Sequence, residues 1–270
     1  MRVEWDKWLT GVGGWQAMVV RQYRCRGGAC GAAFAVVLVA VAGCSPQGGA
    51  AAVDQRDAGT VQGAAGVLVR AGSARAVTSM EMAAGGTRVT IRGTGTYDFR
   101  KRTGMLSVVL PRDAAGAEEH RPITELLAPG ALYMKNRGAG VPAGKWVRVD
   151  TTTLSDRNLV TGGATDPLTA AELLRSARKV RYIGTQELDG VRVRHYRGVT
   201  AAAKGFARRD VPFDAYLDEE GRLRKVRHWF SFVNEGRTVD VASTTVLYGF
   251  GVPVAVNLPA AGDIYAGKIR

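Results

Sequence analysis

The stretch Thr87–Phe99, TRVTIRGTGTYDF, decides the fold. Apolar and small side chains alternate in it with polar ones, and this period of two predicts a long strand with one apolar and one polar face. The apolar face consists of Val89, Ile91, Gly93, Gly95 and Tyr97, and the polar face consists of Arg88, Thr90, Arg92, Thr94 and Thr96. Two glycines on the apolar face indicate a point where the sheet bends sharply or where another element approaches closely.

The same alternation continues on both sides of this stretch and predicts about eleven strands. The other ten predicted strands are Val77–Ala83, Met105–Leu110, Arg121–Leu127, Leu132–Asn136, Lys145–Asp150, Val180–Leu188, Val191–Val199, Phe213–Leu217, Arg222–Phe232 and Arg237–Phe250. Short turns join many of them, and Asp189-Gly190 is the strongest hairpin signal among these turns. We therefore expect the strands to be antiparallel.

Helical spacing appears in two segments. Residues 57–76 carry apolar side chains on one face, and Asp166–Lys179 begins with an N-cap aspartate followed by a proline that suits the first helical position. A third and weaker helix is predicted over Thr152–Leu159. Because no break in composition divides the strands from the helices, we expect a single α+β domain over residues 57–270.

The composition is that of a folded protein, and the cysteines limit its chemistry. Of the 270 residues, 46% are hydrophobic and 23% are charged, which argues against general disorder. All three cysteines, Cys25, Cys30 and Cys44, lie in the first 44 residues. The rest of the chain therefore has no internal disulfide, thiolate metal site or catalytic cysteine.

The segment that ends at Cys44 has the pattern of an export signal. Residues 21–44 read RQYRCRGGACGAAFAVVLVAVAGC, in which three arginines precede an uncharged run that is shorter than the ~20 residues of a membrane span. The run ends in Val41-Ala42-Gly43-Cys44, which resembles the bacterial lipobox. The resemblance implies that the Cys44 sulfur is acylated and that the chain is cleaved after Gly43. The alternatives are a plain signal peptide and a membrane span with an unrelated cysteine.

This prediction divides the chain into a leader over residues 1–43, a flexible tether over residues 44–56 and the folded domain. Translation starts at Met18 if residues 1–17 are not part of the protein. Removal of the leader takes away five basic and two acidic residues and lowers the net charge from +13 to +10. A basic protein anchored at the extracytoplasmic face of the cell membrane is expected to meet anionic lipid surfaces and no nucleic acid.

The sequence contains no motif for a chemical step. A nucleophile elbow, a zinc-protease helix, a phosphate-binding loop and a dinucleotide fingerprint are all missing from it. The histidines are far apart, and we interpret His195 as a surface residue and His228 as a packed one. Clusters of arginine and lysine are interpreted as solvated strand faces or turns. We therefore expect a protein that is not an enzyme and that holds no metal and no cofactor.

The later part of the chain carries motifs of a known superfamily. They are Arg181-Tyr182-Ile183-Gly184-Thr185, Leu188-Asp189-Gly190-Val191, Pro212-Phe213-Asp214-Ala215-Tyr216-Leu217-Asp218, Gly221-Arg222-Leu223 and Leu247-Tyr248-Gly249-Phe250-Gly251. With the lipobox and the eleven predicted strands, residues 57–260 resemble the LolA-like superfamily, especially actinobacterial lipoproteins of the LppX/LprG type. The resemblance implies a curved antiparallel half-barrel wrapped around two or three helices, whose concave side holds acyl chains.

Fold and anchor together predict a lipoprotein that binds or carries a lipid, a glycolipid or a lipid-modified molecule in an apolar cavity. An incomplete barrel of eleven strands leaves an interior that helices or a guest must occupy. The predicted cavity residues are Val89, Ile91, Leu106, Val108, Leu132, Met134, Leu168, Leu173 and Trp229. The alternative is a regulatory or structural protein of the RseB type, which uses the same fold to bind an envelope protein and transports no lipid.

Overall fold

The computed structural model describes residues 47–110, 122–136, 141–142, 144–153, 166–201, 209–234 and 236–266. Cys44 and the leader lie outside the described residues, as do residues 154–159 of the predicted third helix. The described helices are α1 (Gln47–Gln62), α2 (Ala64–Ala71) and α3 (Pro167–Leu173). The described strands are β1 (Ser73–Ala84), β2 (Thr87–Asp98), β3 (Thr103–Val109), β4 (Ile123–Ala128), β5 (Ala131–Lys135), β6 (Trp146–Asp150), β7 (Arg178–Leu188), β8 (Val191–Ala201), β9 (Asp210–Leu217), β10 (Leu223–Asn234) and β11 (Arg237–Tyr248).

All eleven strands belong to one antiparallel sheet, in the order β6-β5-β4-β3-β2-β1-β11-β10-β9-β8-β7. The chain forms two meanders, β1 to β6 and β7 to β11, and these join because the first strand pairs with the last. The sheet is open, since β6 and β7 are its two edges within the described residues. The predicted α+β class, the eleven strands and their antiparallel order in a half-barrel are confirmed.

The apolar and polar residues that alternate along β2 correspond to its buried and more exposed faces in the sheet. Ile91 and Tyr97 are buried on the face that packs against the helices, whereas Arg92 is exposed on the opposite face. We call these two faces the inner face and the outer face. The core lies between the inner face and the helices, where Leu68 of α2 and Leu168 of α3 are at most 1% exposed.

Helix α3 is fixed to the sheet through its N-cap residue, Asp166. One oxygen of this carboxylate accepts hydrogen bonds from the backbone N–H groups of Leu168, at 2.8 Å, and of Thr169, at 3.2 Å. The Tyr97 hydroxyl of β2 donates to the other oxygen at 3.3 Å. Burial raises the pKa of Asp166, although the N–H donors act to lower it. The predicted N-cap therefore starts the helix and also ties it to β2.

Helix α2 is fixed at the same end of the sheet by Arg100, which follows β2. Its guanidinium donates hydrogen bonds to the carbonyl oxygens of Val69, at 3.2 Å, and Arg70, at 2.8 Å, in the last turn of the helix. Gly72 then adopts φ 87°, which ends the helix and leads the chain into β1. We call this end of the sheet, at Ser73, the near end, and the opposite end, at Ala84, the far end.

The helix boundaries differ from the predicted ones. The helix predicted over residues 57–76 is in fact two helices, which start at Gln47, overlap the predicted tether over residues 47–56 and end at Ala71. Helix α3 ends at Leu173 and continues as one 3₁₀ turn over Leu174–Ser176. The helical conformation ends before the predicted residue 179 because Ala177 is extended and Arg178 begins β7. The cationic residues that suit a helix C-terminus thus belong partly to a strand, where pairing with β8 overrides helix propensity.

Candidate functional site

Six predicted cavity residues come from β2 to β5, and all six lie on the inner face. The antiparallel register places Val108 of β3 opposite Gly93 of β2, and Leu132 of β5 opposite Leu127 of β4. All but Val89 are buried, with exposed fractions of 3% for Ile91, 0% for Leu106, 1% for Val108, 0% for Leu132 and 6% for Met134. Neighbouring strands therefore build one apolar surface from residues that are far apart in the sequence.

Helix α3 brings Leu168 and Leu173 onto the same surface. These two side chains are 1% and 6% exposed, and they pack in one hydrophobic cluster with the strand residues. Val89 packs against this cluster and keeps part of its surface exposed. The structure thus brings together eight of the nine residues that the sequence predicts for the cavity.

The ninth residue, Trp229, lies on the other side of the sheet. His228 and Phe230 of β10 are buried on the inner face, so Trp229 between them lies on the outer face and is partly exposed. The guanidinium carbon of Arg227 lies 5.2 Å from its ring centroid, a cation–π geometry. A concavity of about 430 Å³ surrounds the ring, and charged side chains line part of it: Glu81, Arg88 and Asp240.

The apolar inner face is only partly covered at the far end. Met82 and Ala84 of β1, Val89 of β2 and Phe232 of β10 pack against the core but remain partly exposed. We call these four residues the far-end rim. At the near end, by contrast, Leu68 of α2 is completely buried. Helices therefore fill the inner face at one end, while the other end keeps apolar surface in contact with solvent.

Polar side chains interrupt the inner face near its centre. Thr78 of β1, Ser243 and Thr245 of β11 and His228 of β10 are each at most 2% exposed. Burial lowers the pKa of His228 to about 4, so its imidazole is neutral at pH 7. The interpretation of His228 as a packed residue is confirmed. Nothing in the sequence alone marks Thr78, Ser243 and Thr245, because their clustering depends on the pairing of β1 with β11.

A second group of polar residues surrounds Asp214 on the outer face. Its Oδ1 lies 2.7 Å from His195 Nε2 and accepts a hydrogen bond from Arg197 Nε at 2.9 Å. Burial acts to raise the pKa of Asp214, but the hydrogen bonds from Arg197 and His195 lower it below its usual value. His195 also stacks on Tyr216, with ring centroids 4.4 Å apart, and is partly buried by its neighbours. These contacts fix strands β8 and β9 to each other.

Within the described ranges, no group of three or more histidine, cysteine, aspartate or glutamate side chains could hold a metal ion. None of the helices in the part of the chain that the structure describes is long and apolar enough to cross a membrane. Glu125 of β4 is buried on the inner face, opposite Leu106 and Met134. Most of its neighbours on that face are apolar, so the surface suits a hydrocarbon better than an ion.

Comparison with known proteins identifies the fold. No family model and no curated protein sequence matches this chain. Among solved structures, lipoprotein LppX from Mycobacterium tuberculosis matches with a TM-score of 0.51 at 10% identity, over 76% of this chain and 100% of that one. LprF from Mycobacterium bovis matches with a TM-score of 0.44 at 13% identity, over 77% and 98% of the two chains. MucB of Pseudomonas aeruginosa, in its complex with MucA, matches with a TM-score of 0.32 at 14% identity, over 78% and 61%. The likeness to LppX confirms the predicted resemblance at the level of fold, which is the LolA-like fold of the LppX/LprG type.

Proposed function

We propose that this chain is a lipoprotein, anchored through Cys44 at the extracytoplasmic face of the cell membrane, whose inner face binds a lipid or a lipid-modified molecule. The far-end rim carries the proposal, because it is the place where the apolar inner face continues beyond the helices and meets solvent. Binding involves no chemical step. A hydrocarbon chain laid along the inner face from the rim inward would bury both its own surface and that of the rim.

The energy of such burial is large enough for useful affinity. Each methylene that leaves water contributes about 0.8 kcal/mol, so ten methylenes contribute about 8 kcal/mol before the cost of immobilising the guest. Micromolar affinity corresponds to about 8 kcal/mol. A guest with one acyl chain is therefore near the lower limit of what this surface could hold, and a guest with two or more chains is the better candidate.

The proposed anchor would keep the body close to the membrane. Helix α1 begins at Gln47, three residues after Cys44. It is tied to the sheet, because the backbone N–H of Tyr182 in β7 donates to Asp57 at 3.1 Å, and the Gln62 side chain donates to the Ala177 carbonyl at 2.8 Å. A net charge of +10 after leader removal would add attraction to an anionic leaflet.

Native mass spectrometry of residues 46–270, which include the whole described fold, tests the lipid-binding claim. The protein is produced without its acyl anchor and mixed with total membrane lipid, and the lipid bound per molecule is read from the mass. Val89→Trp places a large side chain on the far-end rim and should reduce bound lipid at least tenfold. Thr90→Trp places the same side chain on the outer face and is the matched control. Absence of lipid on the wild type, or equal loss in both variants, would refute the proposal.

The outer face favours a second candidate function. A partly exposed tryptophan beside charged residues, in a concavity of about 430 Å³, has the composition of a protein-binding surface. On that basis the chain would be a regulatory or structural envelope lipoprotein that binds another protein and carries no lipid. A lipid-free body whose partner binding is lost in Trp229→Ala and kept in Val89→Trp would favour this candidate.

A further inference from the structure

Three uncharged polar side chains form a cluster at the centre of the inner face. Thr78 of β1 lies directly opposite Thr245 of β11. His228 of β10 lies opposite Ser243, which is two residues from Thr245 along β11 and therefore on the same face. Thr245 lies directly opposite Thr78 and diagonally opposite His228, positions whose Cβ atoms are about 5 to 8 Å apart, while Thr78 and His228 lie on either side of β11, at about twice the strand spacing of about 4.8 Å. A ligand group placed beside Thr245 is therefore within reach of all three side chains. We call Thr78, Thr245 and His228 the central polar cluster.

Each side chain of this cluster has one buried polar atom without a hydrogen-bond partner among the described residues. The exposed fractions of Thr78, Thr245 and His228 are 2%, 1% and 2%. Thr78 Oγ1, Thr245 Oγ1 and His228 Nε2 have no hydrogen-bond partner among the described residues. Folded proteins satisfy nearly all their buried polar groups, and leaving one unpaired costs free energy. Three unpaired groups in adjacent positions of one sheet therefore indicate a ligand group that completes them.

The surroundings of the cluster define what that ligand group can be. Its inner-face neighbours include Met80 and Val226, and Gly93, next to Thr78 in β2, contributes no side chain. His228 itself is neutral at pH 7, and burial alone lowers its pKa. A phosphate or carboxylate placed here would be a buried charge next to neutral donors only, which is costly. An uncharged hydroxyl or carbonyl can use the two hydroxyls and the imidazole at little cost.

The position of the cluster also fits a guest that enters from the far-end rim. Thr78 and Met82 are four residues apart on β1 and share the inner face. Four residues of a strand span about 13 Å, so the cluster lies about 13 Å in from the rim. A group held there belongs to the middle of a hydrocarbon chain and not to a headgroup at the mouth.

We propose that the central polar cluster is a subsite that hydrogen-bonds an uncharged polar group, a hydroxyl or a carbonyl, carried within the hydrocarbon of the bound lipid. The inference rests on the proposed function, since it assumes that hydrocarbon enters along the inner face. The threonine hydroxyls donate to the oxygen of the guest, and His228 Nε2 accepts from a hydroxyl or donates to a carbonyl according to its tautomer. The subsite would select among lipids with similar chains by a mid-chain substituent.

Two neutral probes that differ by one group test the subsite. Methyl 12-hydroxystearate and methyl stearate are titrated into residues 46–270, and their affinities are compared by competition with a fluorescent fatty ester. The wild type should bind the hydroxylated ester about 5- to 30-fold more tightly, as one or two net hydrogen bonds imply. Thr78→Val with Thr245→Val removes both hydroxyls at constant shape and should bring this ratio close to 1 while leaving methyl stearate affinity intact. Thr94→Val, on the outer face of β2, is the control and should keep the wild-type ratio.

Each outcome of this comparison has a distinct meaning. Binding of both esters with no preference, or a preference that survives in the double valine variant, overturns the subsite and leaves the proposed function standing. Failure of the wild type to bind either ester overturns the subsite, whereas failure to retain any membrane lipid in the native mass spectrum overturns the proposed function, and the subsite with it. Thermal unfolding without lipid gives a second reading, because Thr78→Val should not lower the melting temperature if its hydroxyl is unpaired. A clear loss of stability in that variant would show a structural hydrogen bond and would refute the inference.

Discussion

Gly95→Ala should destabilise the sheet by an amount that follows from the geometry of β2 and β3. Gly95 lies opposite Leu106, and an ideal Cβ built on it would lie 1.8 Å from the carbonyl oxygen of Met105 and 2.9 Å from the Cα of Leu106. Both are backbone atoms, so no side-chain rotation can relieve the clash. Ordinary contact begins at about 3.4 Å. The two strands would therefore have to separate locally by more than 1 Å.

The cost of that separation has two parts. Adjacent strands lie about 4.8 Å apart, so a shift of this size breaks one or two ladder hydrogen bonds, each worth about 1 kcal/mol net. Forcing extra volume against the packed Leu106 costs about 1 to 3 kcal/mol more. The total is about 2 to 5 kcal/mol. In a domain of this size, 1 kcal/mol lowers the melting temperature by about 2 to 4 °C, so the expected fall is about 4 to 20 °C.

Scanning calorimetry or circular dichroism of residues 46–270 measures this fall, with Gly59→Ala as the matched control. Gly59 lies exposed in α1 and has no heavy atom within 4 Å of an added Cβ. Alanine there should leave the melting temperature unchanged or raise it, because it favours the helix by up to about 1 kcal/mol. A melting temperature of Gly95→Ala within 1 °C of the wild type would contradict the close approach of β2 and β3. Added lipid should not rescue the variant, since the clash lies in the backbone.

Three further outcomes are expected. Asp166→Ala should cost about 1 to 2 kcal/mol by removing the cap of α3, whereas Asp166→Asn, which also caps, should cost less in the same thermal scan. His228 has a folded-state pKa of about 4 against about 6.5 when unfolded, so its contribution is present above pH 6.5 and is lost as the pH falls. Stability should drop by about 2 kcal/mol between pH 7 and pH 5 in urea titrations, and His228→Gln should lack that part of the slope. Cys44→Ala should abolish labelling by a fatty-acid analogue in cells, whereas Cys30→Ala should not. Equal labelling of both variants would refute the proposed anchor at Cys44.

The strands could be predicted from the sequence because a strand with one buried face has alternating apolar and polar residues. The predicted strand Thr87–Phe99 and the observed β2, Thr87–Asp98, differ by one residue, and the Asp189-Gly190 turn joins β7 to β8 as expected. The helices were less predictable. Ala74 and Ala76 suit a helix as well as a strand, and pairing with Tyr97 and Gly95 decides in favour of β1.

The sequence predicts which residues of one strand share a face, but it does not predict which faces of different strands form one surface. Alternation assigns Ile91 and Val108 to one face, but it does not say which face of a later strand joins theirs. The register of strand pairing decides which faces join, as β10 illustrates. His228 and Trp229 are adjacent in sequence, and the pairing of His228 with Ser243 places the histidine inside and the tryptophan outside. The large aromatic residue Trp229 is predicted as a ligand contact, but its neighbours His228 and Phe230 are the residues on the inner face.

The central polar cluster can be recognised in the sequence only once the register of β1, β11 and β10 is known. The inner-face residues of β11 are Val239, Val241, Ser243, Thr245 and Leu247. Two residues with hydroxyl groups therefore lie between apolar residues on this face. Taken alone, each is a common strand residue that needs no explanation. Thr78 of β1 and His228 of β10 interrupt the inner rows of their own strands at the same height. Of these residues, Thr78, Thr245 and His228 each have a buried polar atom with no hydrogen-bond partner in the part of the chain that the structure describes, and this supports the proposed subsite for a polar group.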